Sequence, residues 1–150
     1  MALPNSNHFY LGAVAALFLV LFASHANAAG ITITGGWIRA LPAGLPAAGY
    51  FTLRNSGDKT VLLTGAASPG CAMLMLHKSD DRSGMMKMED VTSVEAAPGA
   101  TVKFTPGSYH LMCMGPKPAI KPGGRVPVTL SFADGTSLTA DFAVRNANGE

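Results

Sequence analysis

Beyond residue 28 the sequence has no long apolar run, no cluster of Lys or Arg, no internal repeat and no low-complexity tract. The first absence excludes a membrane span there, because a crossing helix needs about 20 consecutive apolar residues. The second removes the electrostatic footprint of a nucleic-acid binder: the formal net charge is only +2 and its basic residues are scattered. No convincing helical periodicity is found. Cysteine is scarce, with only Cys71 and Cys113, and two positions in a sequence say nothing about their separation in space. An exported chain can join them as a disulfide. The alternative, which we favour from sequence, is two separate buried thiols.

What the N-terminus does contain is an apolar block without charge, from Phe9 to Ala23, followed by Ser24, His25 and the small-residue tripeptide Ala26-Asn27-Ala28. The block is too short to span comfortably, and its flank reads as a signal-peptidase site. One departure is the absence of Lys or Arg before Phe9. The expectation is a signal peptide over residues 1–28 and one domain over 29–150, exported to the periplasm. At 150 residues the chain has room for a single hydrophobic core.

Short β-rich runs separated by Gly, Pro, Asn and Asp fill the stretch from Ile31 to Val144, as in an all-β sandwich or barrel. Strands are predicted at Ile31–Thr34, Tyr50–Leu53, Thr60–Thr64, Cys71–Lys78, Met85–Val91, Ala100–Phe104, Tyr109–Met114, Val126–Phe132 and Thr136–Val144. The segments Ser68-Pro69-Gly70, Ala97-Pro98-Gly99, Thr105-Pro106-Gly107 and Lys121-Pro122-Gly123-Gly124 read as turns, and Asn55-Ser56-Gly57-Asp58 as another. Asp134-Gly135 is the strongest hairpin signal. Leu41 to Gly49, rich in Pro, Ala and Gly, reads as a surface connection.

Methionine is distributed very unevenly. Apart from Met1, all methionines lie between Met73 and Met114, and so do the two histidines of the expected mature chain, His77 and His110. Taken singly, a methionine is a flexible core filler and a strand histidine a satisfied surface or core group. Spacing shifts the balance. His110 and Met112 are two apart on a predicted strand and therefore project from one face. A hairpin through the Ser79–Gly84 turn would bring His77 near Met88. Two imidazoles and two thioethers make a neutral, soft ligand set that suits Cu(I), whereas structural zinc wants thiolates and calcium or magnesium wants carboxylates. A thioether needs no deprotonation to bind and is not lost to disulfide formation in an oxidising compartment.

The spacing of His77, Met88, His110 and Met112 matches at all four positions the H-x10-M-x21-H-x-M signature of the PCuAC family of periplasmic copper chaperones, which the chain resembles. The resemblance runs on through Trp37-Ile38-Arg39, Ala48-Gly49-Tyr50 with Asn55-Ser56-Gly57, and Pro106-Gly107-Ser108-Tyr109-His110-Leu111-Met112. It implies a single-domain, cupredoxin-like Greek-key β-sandwich that carries Cu(I) to the CuA centre of cytochrome c oxidase subunit II, alongside a Sco-type thiol protein. Two features depart from it. Cys113 stands where an aliphatic residue is expected; on an extended strand it points away from His110 and Met112, which makes it a core thiol rather than a third sulfur ligand. Asn146 to Glu150 offers no His- and Met-rich extension of the kind some relatives carry. Met75, Met85, Met86 and Met114 are left unassigned.

Three other functions are weighed against this reading. A blue-copper electron carrier needs a histidine after its ligand cysteine, and none follows Cys113. A sandwich that binds no metal would use its methionines only for packing. An enzyme finds no mechanism here, since two histidines lack a nucleophile arrangement or an open carboxylate-rich site.

Overall fold

The computed structural model describes residues 28–82 and 85–150, and of residues 81, 82, 85 and 86 only the backbone. The expected signal peptide, residues 1–27 of it, lies outside the described residues, as do the side chains of Met85 and Met86. Ten strands account for most of the rest: β1 (Ile31–Arg39), β2 (Ala47–Asn55), β3 (Val61–Ala67), β4 (Cys71–Arg82), β5 (Met85–Asp90), β6 (Val94–Ala96), β7 (Thr101–Phe104), β8 (Tyr109–Pro116), β9 (Arg125–Phe132) and β10 (Ser137–Arg145). They hydrogen-bond in the order β5-β4-β8-β7-β2-β1-β10-β9-β3-β6, with β8 also pairing directly to β2. The ladder curls round one core, as an all-β, cupredoxin-like sandwich does.

The core follows from alternation along each strand. Val126, Val128, Leu130 and Phe132 of β9 are buried while the residues between them are not, the period-2 signature of a sheet with one wet face. Phe104, Phe142, Ile38, Leu53, Leu63 and Leu111 fill the centre, and Phe51 stacks on Phe104 with ring centroids 4.2 Å apart. Each such side chain contributes roughly 1.5–3 kcal/mol by leaving water.

Three elements differ from the sequence expectation. The Leu41–Gly49 connection ends early, because β2 begins at Ala47, whose neighbour Gly49 pairs with Leu111 of β8. A Cβ on Gly49 would lie 3.2 Å from the Leu111 Cβ, so small residues here mark close strand packing rather than a loop. Strand β4 runs on to Arg82, through most of the predicted turn. The three-residue β6 carries too little pattern to be read from sequence; it pairs with β3 and is pinned by the buried Asn55, whose amide donates to the Ala96 and Lys59 carbonyls at 2.9 and 2.7 Å.

Cys71 and Cys113 are joined as a disulfide with their Cα atoms 5.5 Å apart. This corrects the expectation of two separate thiols. Both cysteines are buried, and alternation on β4 breaks between Cys71 and Leu74, where Ala72 and Met73 are both exposed. That change of phase turns Cys71 to the same side as Leu74, Leu76 and Cys113, which sequence spacing alone did not reveal.

Candidate metal centre

Strands β5, β4 and β8 lie side by side and present one face to solvent. On β8 the core takes Leu111 and Cys113, so His110, Met112 and Met114 project outward; on β4 the core takes Leu74 and Leu76, so Met75 and His77 project outward with them. Register then matches these residues in rungs, His77 opposite His110 and Met75 opposite Met112. In the β4–β5 hairpin Met88 stands opposite Ser79 and Asp90 opposite His77. Met88 is thus a diagonal neighbour of His77 on the same face, as the hairpin argument expected.

The two imidazoles touch edge-on, with centroids 5.7 Å apart. His110 is buried, and its Nδ1 lies 3.1 Å from the Ser108 carbonyl. A carbonyl only accepts, so this contact favours the tautomer protonated at Nδ1 and leaves the lone pair on Nε2. That Nε2 is buried and has no hydrogen-bond partner. A buried acceptor without a donor is costly unless something else occupies its lone pair. Burial holds the His110 pKa below the ordinary histidine value, with smaller contributions in the same direction from His77 and Arg39; the Ser108 contact opposes them. The ring therefore stays neutral, the state a ligand needs.

His77 is 12% exposed, and its Nε2 lies 2.8 Å from Asp90 Oδ1. Apart from this contact, neither ring nitrogen has a hydrogen-bond partner. Beside the histidines, Met88 and Met112 line an open pocket of about 390 Å³ together with His110, Ser79, Tyr50 and Arg39. His77 is not part of this lining; it reaches the site through its contact with His110. Arg39 contacts the Tyr50 hydroxyl, and its guanidinium carbon sits 5.3 Å from the Tyr50 ring centroid. It is held in place by a β-bulge between Thr34 and Trp37. Before the bulge Ile31 and Ile33 point inward, after it Ile38 and Ala40 do, so Trp37 and Arg39 turn to the outer face.

All four residues singled out from sequence are therefore brought to one face. Sequence reasoning missed the Ser108 carbonyl that sets the His110 tautomer, the carboxylate of Asp90 beside His77, and Arg39. Ser108 and Arg39 each had a signal, their places in the quoted segments Pro106 to Met112 and Trp37-Ile38-Arg39, whereas Asp90 had none. Among the described residues no three His, Cys, Asp or Glu side chains gather as a metal-binding group, so a multidentate site on this face draws on thioethers. Cys113 has no thiolate to offer, being on the core side and bonded to Cys71.

A curled β-sandwich with two imidazoles and two thioethers on one face is the frame of a soft-metal carrier. Comparison with known proteins narrows the class. The family model described as "Putative lipoprotein LpqE-like" matches residues 31–144, and the chain belongs to that family. A relative described as a putative lipoprotein, from Leifsonia xyli subsp. xyli (strain CTCB07), is 31% identical over 124 residues, 82% of this chain and 74% of that protein. Among solved structures, a copper-bound PCuAC domain from PmoF2 aligns with a TM-score of 0.63 at 26% identity, over 78% of this chain and 93% of the domain. The CuI-DR1885 protein of Deinococcus radiodurans aligns with a TM-score of 0.57 at 30% identity, over 82% and 85%. The domain is thus of the PCuAC type, a copper-binding, chaperone-like class rather than an enzyme class. No helix among the described residues is long and apolar enough to cross a membrane.

Proposed function

We propose that the chain is exported, loses residues 1–28, and carries one Cu(I) in the periplasm on His77, Met88, His110 and Met112 of the domain 29–150. The observation that carries this reading is the orphaned, buried Nε2 of His110, a residue that lines the pocket with Met88 and Met112 and whose ring lies edge-on to His77. A thioether-rich, uncharged set favours the monovalent ion and lets it go by ligand exchange, because no proton has to return to sulfur. The Cu(I) in the name of the DR1885 structure and the lipoprotein description of the family support the ion and a place outside the cytoplasm. The recipient implied by the family resemblance is the CuA centre of cytochrome c oxidase subunit II, alongside a Sco-type thiol protein.

The test is anaerobic competition for Cu(I) against a chromophoric chelator. His110→Ala and Met112→Leu should each weaken the tight ion by at least about tenfold, a loss of about 1.4 kcal/mol, with Tm of the metal-free protein little changed. Undiminished affinity in both variants would refute the ligand set. Mixing the loaded protein with the reduced soluble domain of subunit II and then adding a one-electron oxidant, which takes the colourless Cu(I) pair to the mixed-valence state, should produce the CuA absorption spectrum; if no copper moves, the recipient is wrong although the ligands stand.

A further inference from the structure

The methionines do not behave as packing residues. None of the described ones is in the core, and of the six large apolar side chains that are well exposed among the described residues, three are Met73, Met88 and Met114. Methionine as gap filler belongs inside a protein, so their exposure calls for another account. Met88 belongs to the site already described. Met73 and Met114 do not.

The ladder between β4 and β8 places these two opposite each other, Met73 against Met114, and the next rung is Met75 against Met112. Leu74 and Cys113, the residues between them, are buried, so all four thioether side chains leave the same outer face. Directly opposed Cβ atoms on such a face stand about 4.5–5.5 Å apart, close enough for flexible thioethers to converge on one ion. Exposure rises along the row away from the histidines: Met75 and Met112 are half-buried, while Met73 is 56% and Met114 38% exposed. Beside Met73 and Met75 no described strand pairs with the other side of β4, because the β5 register begins at His77. Uncharged sulfur ligands can be crowded without mutual repulsion, and without imidazole or thiolate they select a soft monovalent ion.

We propose that Met73, Met75 and Met114 form a second, weaker all-thioether Cu(I) site on the solvent side of the first. It goes beyond the four-residue site and stands or falls separately from it. Thioethers take up no proton in mild acid, so the second ion should persist at pH 5.

The test is Cu(I) titration of the full mature protein in ascorbate, followed by chelator competition and by the methionine εCH3 signals in NMR. Wild type should take up two ions, the second at least about tenfold weaker, with εCH3 shifts at Met73, Met75 and Met114. The double variant Met73→Leu, Met114→Leu keeps side-chain volume and removes sulfur; it should bind one ion with unaltered tight affinity. His77→Ala, His110→Ala should lose the tight ion and keep the weaker one at pH 7 and pH 5. Saturation of wild type at one ion, or survival of the second ion in the double leucine variant, overturns the site. A wild type whose tight ion ignores the histidine variants refutes the proposed function and leaves this second site standing.

Discussion

At the residue scale, one ring carries two constraints. His110 holds a proton on Nδ1 for the Ser108 carbonyl and leaves Nε2 bare in a buried place. Because burial pushes its pKa below that of an unfolded chain, the unfolded state binds more protons than the native one once the pH drops to the histidine range. The stability contributed by the neutral ring is complete above about pH 6.5, and it declines as the pH falls through that value toward the lowered native pKa. Urea unfolding of the metal-free protein at pH 7.5 and pH 5.5 should show this decline, and His110→Gln should reduce it. A pH-independent midpoint would mean that the ring is not held neutral. The same lowering keeps Nε2 available for copper further into mild acid than a free histidine would be. Cu(I) affinity should still fall at lower pH, where protons compete for imidazole.

At the scale of elements, the bulge in β1 decides which way Arg39 faces. Gly36 sits inside it, and a Cβ there would come within 2.6 Å of the Phe142 ring. Gly36→Ala should therefore cost on the order of 1–3 kcal/mol through overpacking, read as a lowered denaturation midpoint, and it should disturb the Arg39–Tyr50 contact. A neutral effect would show that Phe142 can move aside. The bulge also marks the limit of what sequence pattern conveys. Nine of the strands were legible because alternation and Pro-Gly turns act locally, and His110 with Met112 was legible because spacing by two fixes a common face. The cross-strand rungs were not: register depends on pairing between segments some 35 residues apart, which no local period encodes. The Met73, Met75 and Met112, Met114 spacings were visible, but only register sets the two rows opposite each other. The change of phase in β4 that brings Cys71 to the core was hidden for the same reason.

At the scale of the molecule, the disulfide links the fold to the compartment. It spans a sequence separation of 42 residues, across the whole β4–β8 segment that contains His77, Met88, His110 and Met112. In the chain-entropy account, closing a loop of that size restricts the unfolded chain enough to stabilise the native one by about 4 kcal/mol. For a domain of this size the loss corresponds to a drop in Tm on the order of 10–15 °C. The bond also removes two thiolates, which as soft ligands would compete for Cu(I) with the weaker thioethers. The double variant Cys71→Ala, Cys113→Ala should thus melt well below the oxidised wild type and close to wild type reduced with dithiothreitol. Its affinity for the tight Cu(I) should remain, because Cys113 faces the core while the site lies on the opposite side of β8. Calorimetry of the three samples, with chelator competition on the variant, separates the two roles. Equal melting of all three would show that the bridge does not stabilise the fold; a loss of tight copper in the variant at unchanged secondary structure would show that it shapes the site as well as the core.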